Sequence, residues 1–359
     1  MQAIEHRIIH IVTGDNGTGK TRYLSEVSEK TLKELRHNES SFSRLICLSG
    51  TVFEKFPKPH KELLKNIKDN YYYFGYKANN NMFSDITPFR SIVNVILNNN
   101  ISKKSIDTAT SLMSEIGFKP SLKLDFRRAR NSKIDQSLSS IYFDLYDFDN
   151  STNQLRQLKD KINDGEIHLN KIFFQKGLCN EHAVTDLSSG ERQFLLTILA
   201  LTFSITNNSL ILFDEPENSM HPSWQIKIAK SISDVLSVFD KTSTCIIATH
   251  SPLVVSSIPN TGNKITNLGG DNRSSWSNQI LSGNNADSIL KEQFQLHSSR
   301  SFETLNLIQK CLHALSKNDD SFHSHQNELK KLNLILSPDD PLFDTYKTII
   351  EHNPNDSRT

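Results

Sequence analysis

Short apolar runs alternate along the chain with segments whose apolar residues have helical spacing, and this alternation predicts an α/β fold. Residues 7–13 form an apolar, β-branched run that ends at Gly14, which predicts a buried strand leading into a loop. Residues 20–36 then have the spacing of a helix, and residues 45–48 and 71–74 form two further apolar runs. We therefore expect this part of the chain to supply strands and one helix of a core sheet.

The pattern becomes sharper in the second half of the chain. Residues 187–203 and 222–239 are predicted to be helices, and the apolar runs at 210–213 and 244–248 are predicted to be buried strands. Residues 119–141 contain segments that can pair as strands, although the surrounding sequence has helical spacing.

The predicted domain organisation follows from these patterns. Residues 1–78 and 177–268 are expected to form one α/β head with a mixed sheet, interrupted by a mostly helical arm or lid at 79–176. Residues 269–285 are rich in Gly, Ser and Asn, which indicates a linker. Residues 286–359 are expected to form a C-terminal helical region that docks a partner.

Composition excludes some classes of protein. A chain of 359 residues has room for about two domains. The net charge of +1 gives no overall basic field for nucleic acid, and no apolar run approaches the roughly 18 residues of a membrane span. The four cysteines are scattered and form no Cys-x-x-Cys pair: Cys47, Cys179, Cys245 and Cys311. This pattern argues against a zinc ribbon, and it suits a protein of the reducing cytoplasm.

The segment from Gly14 to Thr21, Gly-Asp-Asn-Gly-Thr-Gly-Lys-Thr, has the spacing of a phosphate-binding loop. Its glycines let the backbone turn its N–H groups toward phosphate, Lys20 is expected to reach the β- and γ-phosphates, and the Thr21 hydroxyl is expected to bind Mg²⁺. The predicted ATP-binding residues in this region are Asn16, Gly17, Thr18, Gly19, Lys20, Thr21 and Arg22.

Two carboxylates, Asp214 and Glu215, follow the predicted strand at 210–213. A carboxylate at the end of a buried strand beside a phosphate-binding loop can hold Mg²⁺, and its neighbour can polarise the attacking water. We therefore predict Asp214 as a metal ligand and Glu215 as the general base of ATP hydrolysis.

The segment Leu187-Ser-Ser-Gly-Glu-Arg-Gln193 resembles the signature motif of the ABC-type ATPases, with Ser189 where that family usually has glycine. The resemblance implies that Ser188, Ser189, Gly190 and Glu191 bind the γ-phosphate of ATP held by a second subunit. It also implies that His250, in Thr249-His-Ser-Pro252, is the switch histidine that touches this phosphate. The expected assembly is a homodimer or a higher, even-numbered homo-oligomer.

The segment from Asp214 to Pro222, Asp-Glu-Pro-Glu-Asn-Ser-Met-His-Pro, is similar to the branch of this superfamily that contains the overcoming-lysogenization-defect (OLD), RecF and SMC-like proteins. That branch has a glutamine before the arm, and residues 70–90 contain none. Asn80 or Asn81 is the expected substitute.

Three further segments, 49–56, 73–76 and 286–294, resemble small anti-phage defence ATPases of Septu-type and retron-associated systems. The resemblance implies slow, regulatory ATP hydrolysis and a separate effector, a nuclease of the HNH type, as partner. Two alternatives stay open: a RecF- or SMC-like repair ATPase that binds DNA or RNA, and an ATPase with its own RNase-like group. The residues of that group would be Arg300, Glu303, His313, His323 and His325.

Overall fold

The computed structural model describes residues 8–60, 62–79, 82–129, 140–177, 180–239, 242–259, 264–268, 276, 302–317, 319, 321–337, 340 and 342–352. The chain divides into two compact units, Met1–Ile289 and Leu290–Thr359. Across the described residues, no helix combines the length and the apolar character that crossing a membrane requires.

The centre of the first unit is a parallel sheet. Within the described residues it contains β1 (Ile8–Thr13), β2 (Arg44–Ser49), β3 (Tyr71–Phe74), β10 (Ser209–Asp214), β11 (Thr244–Ala248) and β12 (Lys264–Asn267). Their order is β12-β1-β11-β10-β2-β3, and each neighbouring pair is parallel. The predicted α/β fold is thus confirmed. The sheet was predicted to be mixed, whereas its described strands are all parallel.

This sheet is covered on both faces, which explains why its strands are continuous apolar runs. Every residue of β10 is buried, and so is nearly all of β2. Parallel strands bring their carboxyl ends to one edge, so Thr13, Ser49, Asp214 and Ala248 end at the same side of the sheet. Loops that leave this edge are in position to form a ligand site.

Helices cover the sheet and connect its strands. Those of the first unit are α1 (Lys20–His37), α2 (Thr87–Asn98), α3 (Lys103–Glu115), α4 (Phe148–Arg156), α5 (Lys159–Asn163), α6 (Ser189–Ser204), α7 (Pro222–Phe239) and α8 (Pro252–Ser257). Helix α6 contacts α2, α3 and α7. Because neighbours surround it, α6 is apolar around most of its circumference rather than along one stripe.

The segment predicted as a mostly helical arm, 79–176, contains three strands of a second sheet as well as α2 to α5, and the fourth strand of that sheet follows the segment. In this sheet β6 (Phe118–Arg128), β7 (Ile141–Asp144), β8 (Ile167–Lys176) and β9 (Asn180–Ala183) are antiparallel, in the order β7-β6-β8-β9. A short hairpin of β4 (Lys77–Asn79) and β5 (Met82–Phe83) precedes α2.

One face of the second sheet is buried and the other is exposed, which is why its strands alternate in polarity. Phe174 of β8 is fully buried and makes edge contacts with Phe89 of α2 and Phe118 of β6, at centroid distances of 5.8 and 6.2 Å. The inserted segment is therefore an α+β layer packed on the head, because its period-two strands need a helical layer to cover their apolar face.

The second unit contains α9 (Phe302–Lys317), α10 (Phe322–Lys331) and α11 (Phe343–Glu351), with a small core of its own that includes Leu307, Cys311, Phe322, Leu329 and Ile349. The residues of the alternative RNase-like group fall in this part of the chain. Arg300 lies outside the described residues, whereas Glu303, His313 and His323 are exposed, and no hydrogen bond or ion pair of the described helices joins them.

Candidate nucleotide-binding site

The loop between β1 and α1 has the backbone that phosphate binding requires. Gly17 and Gly19 have φ values of 83° and 99°, which L side chains rarely adopt, and open space lies where their Cβ atoms would stand. Gly19 is the residue before α1, so the N–H groups of the first turn of α1 face the same space. The loop can therefore surround a phosphate group with backbone donors.

Lys20 lies buried under this loop. Its Nζ donates to the carbonyl oxygens of Gly14, at 2.7 Å, and Asp15, at 3.0 Å. Burial lowers the pKa of Lys20, and the carboxylates of Glu215, Glu217 and Asp214 oppose this shift. The carboxylates at the edge of the sheet therefore favour the charged form of Lys20 below the glycine loop.

Two of the residues predicted to bind ATP, Arg22 and Thr18, have side-chain partners within α1 and its loop. The Arg22 guanidinium pairs with Glu26 one turn further along α1, at 2.9 Å, on an exposed face. Asn16 is exposed at the tip of the loop, and Thr18 bonds back to the Asp15 carbonyl at 2.9 Å. Asn80 and Asn81, the expected substitutes for the missing glutamine, lie outside the described residues.

Asp214 ends β10 in a buried position beside α1. The Thr21 hydroxyl donates to Asp214 Oδ1 at 3.2 Å, while Oδ2 is buried and has no hydrogen-bond partner among the described residues. Burial raises the pKa of Asp214 to about 7; the Thr21 hydrogen bond opposes the shift, and the nearby carboxylates of Glu215 and Glu217 add to it. A threonine hydroxyl beside a carboxylate with a spare oxygen fits Mg²⁺, which prefers oxygen ligands.

Glu215 has an unusual backbone that turns the chain away from the sheet. Its φ of 48° lies in the left-handed region, and its N–H donates to the Ala248 carbonyl at 2.9 Å. Gly50 packs so closely against Glu215 that a Cβ atom at Gly50 would overlap with the Glu215 carbonyl oxygen. Backbone strain of this kind at the end of a strand holds the Glu215 side chain at the rim of the site, partly exposed.

Glu217, which sequence reasoning missed, contacts His250, the residue predicted to be the switch histidine. Its buried Oε1 accepts from the Thr249 hydroxyl at 2.7 Å and from the His250 N–H at 2.8 Å, and it lies 3.3 Å from His250 Nδ1. The His250 side chain remains 43% exposed, and its Nδ1 is 3.8 Å from Glu215 Oε1. The only available sequence signal was an acid two residues after Glu215 in the same loop.

The predicted signature motif begins α6. Ser188 is the residue before the helix and forms a capping box with Glu191. The Ser189 hydroxyl donates to the Ser219 carbonyl, and Gly190 packs against Trp224, where a Cβ would come within 2.7 Å of the indole. No described contact joins this motif to Lys20 or Thr21 of the same chain.

Buried hydrogen bonds nevertheless connect α6 with the carboxyl edge of the sheet. Gln193 accepts from the Tyr76 hydroxyl at 2.6 Å and donates to the Ser49 carbonyl, at the end of β2, at 3.2 Å. The preceding residue, Arg192, forms an ion pair with Asp85 at 2.9 Å. Sequence reasoning missed these links because their partners are more than 100 residues apart in the chain.

The raised pKa of Asp214 predicts a pH-dependent stability. An ordinary aspartate ionises near pH 4 in the unfolded chain, so a folded pKa of about 7 means that stability is lost as the pH rises between these values. Asparagine does not ionise, so Asp214→Asn should not lose this stability. Without Mg²⁺ and nucleotide, we expect the free energy of unfolding of Asp214→Asn minus that of wild type to increase by about 2–3 kcal/mol from pH 5 to pH 8.

Urea unfolding in the presence of a chelator measures this difference, with Glu29→Gln, at an exposed position of α1, as the control. The control is expected to differ from wild type by the same amount at both pH values. An Asp214→Asn difference that does not change with pH would contradict the assignment of a costly buried charge.

Comparisons with known proteins agree with this geometry. Residues 50–256, which are 207 of the 359 residues, match the family model described as "AAA domain, putative AbiEii toxin, Type IV TA system". The chain is 24% identical to Protein ea59 of Escherichia phage lambda over 274 residues, which cover 70% of this chain and 47% of that protein. The chain therefore spans about half the length of this curated relative.

Matches among solved structures include the SmcHead bound to the C-winged helix domain of ScpA, with 11% identity, 72% of this chain and 85% of that chain covered, and a TM-score of 0.34. Another is cbiO1 from Clostridium perfringens, part of the ABC transporter complex cbiONQ, with 14% identity, 86% and 84% covered, and a TM-score of 0.33. Because the family model matches more than half of the chain, the chain belongs to this AAA-domain family.

Proposed function

We propose that two copies of this ATPase close head to tail around ATP, and that closing and reopening control a partner effector. The observation that carries the proposal is the separation of two anion sites. The glycine loop before α1 and the first turn of α6 are both built to face phosphate, yet no described contact joins them within the chain. A second copy would bring the α6 site of one head to the phosphates held by the other.

Each residue at the carboxyl edge then has a role in the proposed reaction. Lys20 and the glycine loop hold the phosphates, while Thr21 and Asp214 hold Mg²⁺, which would neutralise phosphate charge. Glu215, at the rim of the site, accepts a proton from the attacking water. His250, held by Glu217, would contact the γ-phosphate, and Ser188, Ser189 and Gly190 would contact it from the other subunit.

We further propose that the effector is a nuclease of the HNH type in a cytoplasmic anti-phage defence system. Support comes from the resemblance of residues 49–56, 73–76 and 286–294 to small defence ATPases. The unit Leu290–Thr359, which has its own small core, would supply the docking surface. In this scheme ATP binding shifts the population of a closed state, and slow hydrolysis resets it.

A second candidate is a RecF- or SMC-like ATPase that binds nucleic acid. The exposed face of the second sheet favours it, because Lys123 and Arg127 of β6 lie on that face with the exposed ring of Tyr142 of β7. Basic side chains with neighbouring aromatic rings are a recurrent surface for single-stranded nucleic acid.

Variants of the two central residues test the ATPase cycle. Lys20→Ala is expected to abolish nucleotide binding, because it removes the buried cation below the glycine loop. Glu215→Gln is expected to bind ATP normally but to lower kcat by about 10²- to 10⁴-fold and to accumulate an ATP-dependent dimer. Binding of a fluorescent ATP analogue, phosphate release and sedimentation velocity measure the three properties. Normal hydrolysis by Glu215→Gln would exclude Glu215 as the base.

Mixing two inactive variants tests whether the site is shared between subunits. Lys20→Ala and Ser188→Arg should each be inactive, but a heterodimer of the two contains one site with both Lys20 and Ser188 intact. Since half of the dimers in an equal mixture are heterodimers with one of two sites intact, about a quarter of the wild-type activity should return. A mixture as inactive as its components would contradict head-to-tail sharing.

Purification of the tagged chain with its neighbouring genes expressed tests the partner. We expect a nuclease to co-purify, in a complex that native mass spectrometry finds to contain an even number of ATPase copies. As a control, a chain that ends before residue 286 should lose the nuclease while still binding ATP. Recovery of an ATP-dependent dimer that carries nucleic acid and no nuclease would favour the second candidate.

A further inference from the structure

The first turn of α6 holds an anion of its own, the carboxylate of Glu191. Ser188 donates both its hydroxyl and its N–H to Glu191 Oε2, at 2.7 and 3.1 Å. A serine hydroxyl has one proton, so the Ser188 hydroxyl cannot donate to a phosphate while it donates to Glu191. The negative charge of Glu191 would also repel a phosphate that approached the same turn.

Two backbone N–H groups of this turn remain available to a ligand. Among the described residues, no hydrogen bond uses the N–H groups of Ser189 or Gly190, which are the first N–H groups of the helix. These groups can receive a phosphate as they stand. Full use of the site therefore depends on where the Glu191 carboxylate goes when the phosphate arrives.

Lys176 offers a place for that carboxylate. Its ammonium group forms an ion pair with Glu191 Oε1, the oxygen that Ser188 does not use. Lys176 comes from the end of β8 and not from α6, and its Nζ lies 5.6 Å from the centroid of the buried Phe118 ring. The backbone of Lys176 is therefore fixed by the second sheet and not by α6.

Exposure distinguishes the two partners of this pair. The Glu191 side chain is 13% exposed, whereas the Lys176 side chain is 47% exposed. A carboxylate so enclosed at a phosphate-facing turn has few places to go other than toward its cation. Lys171, on the same strand, provides a matched comparison, because it is exposed and no contact of the described residues joins it to Glu191.

We propose that Lys176 is a positioning residue for the phosphate site of α6. When the γ-phosphate held by another subunit arrives, Glu191 pairs fully with Lys176, and the Ser188 hydroxyl and N–H turn to the phosphate beside the N–H groups of Ser189 and Gly190. No covalent bond changes in this step. The inference rests on the proposed head-to-tail closure, and it gives the second sheet a direct influence on that closure.

The test measures the dissociation constant of the ATP-dependent dimer by sedimentation velocity, in the Glu215→Gln protein with Mg²⁺ and ATP. Adding Lys176→Met is expected to weaken the dimer by about tenfold, since a symmetric dimer contains the contact twice. Lys176→Arg should stay within about twofold of the parent, because it keeps the charge, and Lys171→Met should not weaken the dimer.

A rescue separates this role from a general effect on folding. Glu191→Gln added to Lys176→Met removes the unbalanced charge, so the dimer should return to within about threefold of the Glu215→Gln parent. A Lys176→Met dimer as stable as the Lys171→Met dimer overturns the proposal, and so does a double variant no better than Lys176→Met. If Glu215→Gln itself forms no dimer with ATP, head-to-tail closure fails, and the role of Lys176 fails with it.

Discussion

The site depends on one costly carboxylate. Asp214 is fully buried at the end of an apolar strand, and one of its oxygens has no hydrogen-bond partner in the described structure. Burial disfavours its charge, and the nearby acids Glu215 and Glu217 disfavour it further. The Thr21 hydroxyl donates a hydrogen bond to Asp214, and the Lys20 ammonium group interacts favourably with its charge. A divalent cation held by Asp214, as proposed, would relieve this conflict.

The loops at this edge are fitted to one another by backbone contacts. The left-handed turn at Glu215 is possible because Gly50, on the neighbouring strand end, has no side chain. The Gly50 N–H donates to the Asp214 carbonyl at 2.8 Å, and the Asn218 amide donates to the Gly50 carbonyl at 2.9 Å. Glu217 then anchors the backbone of His250 from the same loop. Hydrogen bonds through Gly50, Ala248 and Glu217 therefore fix the backbones of Asp214, Glu215 and His250 at this edge.

Helix α6 connects the loops at the carboxyl edge with the rest of the head. Its Gln193 bonds to the end of β2, its Ser189 to the loop after β10, and its Arg192 and Glu191 to charged residues outside the parallel sheet. The first turn of α6 thus has partners on the carboxyl edge and on the inserted segment at once. These bonds connect the α6 turn directly with both the carboxyl edge and the inserted segment.

The sequence by itself determined the parts of this protein that depend on neighbouring residues. The glycine loop with Lys20 and Thr21, the buried strand before Asp214 and the serine that caps α6 each lie within a short segment, so their spacing was enough to predict them. The parallel order of the strands, the one-sided second sheet, the Glu217–His250 contact, Gln193 beneath the edge and Lys176 beside Glu191 were decided only in the tertiary structure. Gln193 and Ser49 are 144 positions apart, and no local pattern of polarity records a hydrogen bond across such a distance. Such contacts arise only after the strands have assembled, because packing of apolar faces determines which polar groups are enclosed together.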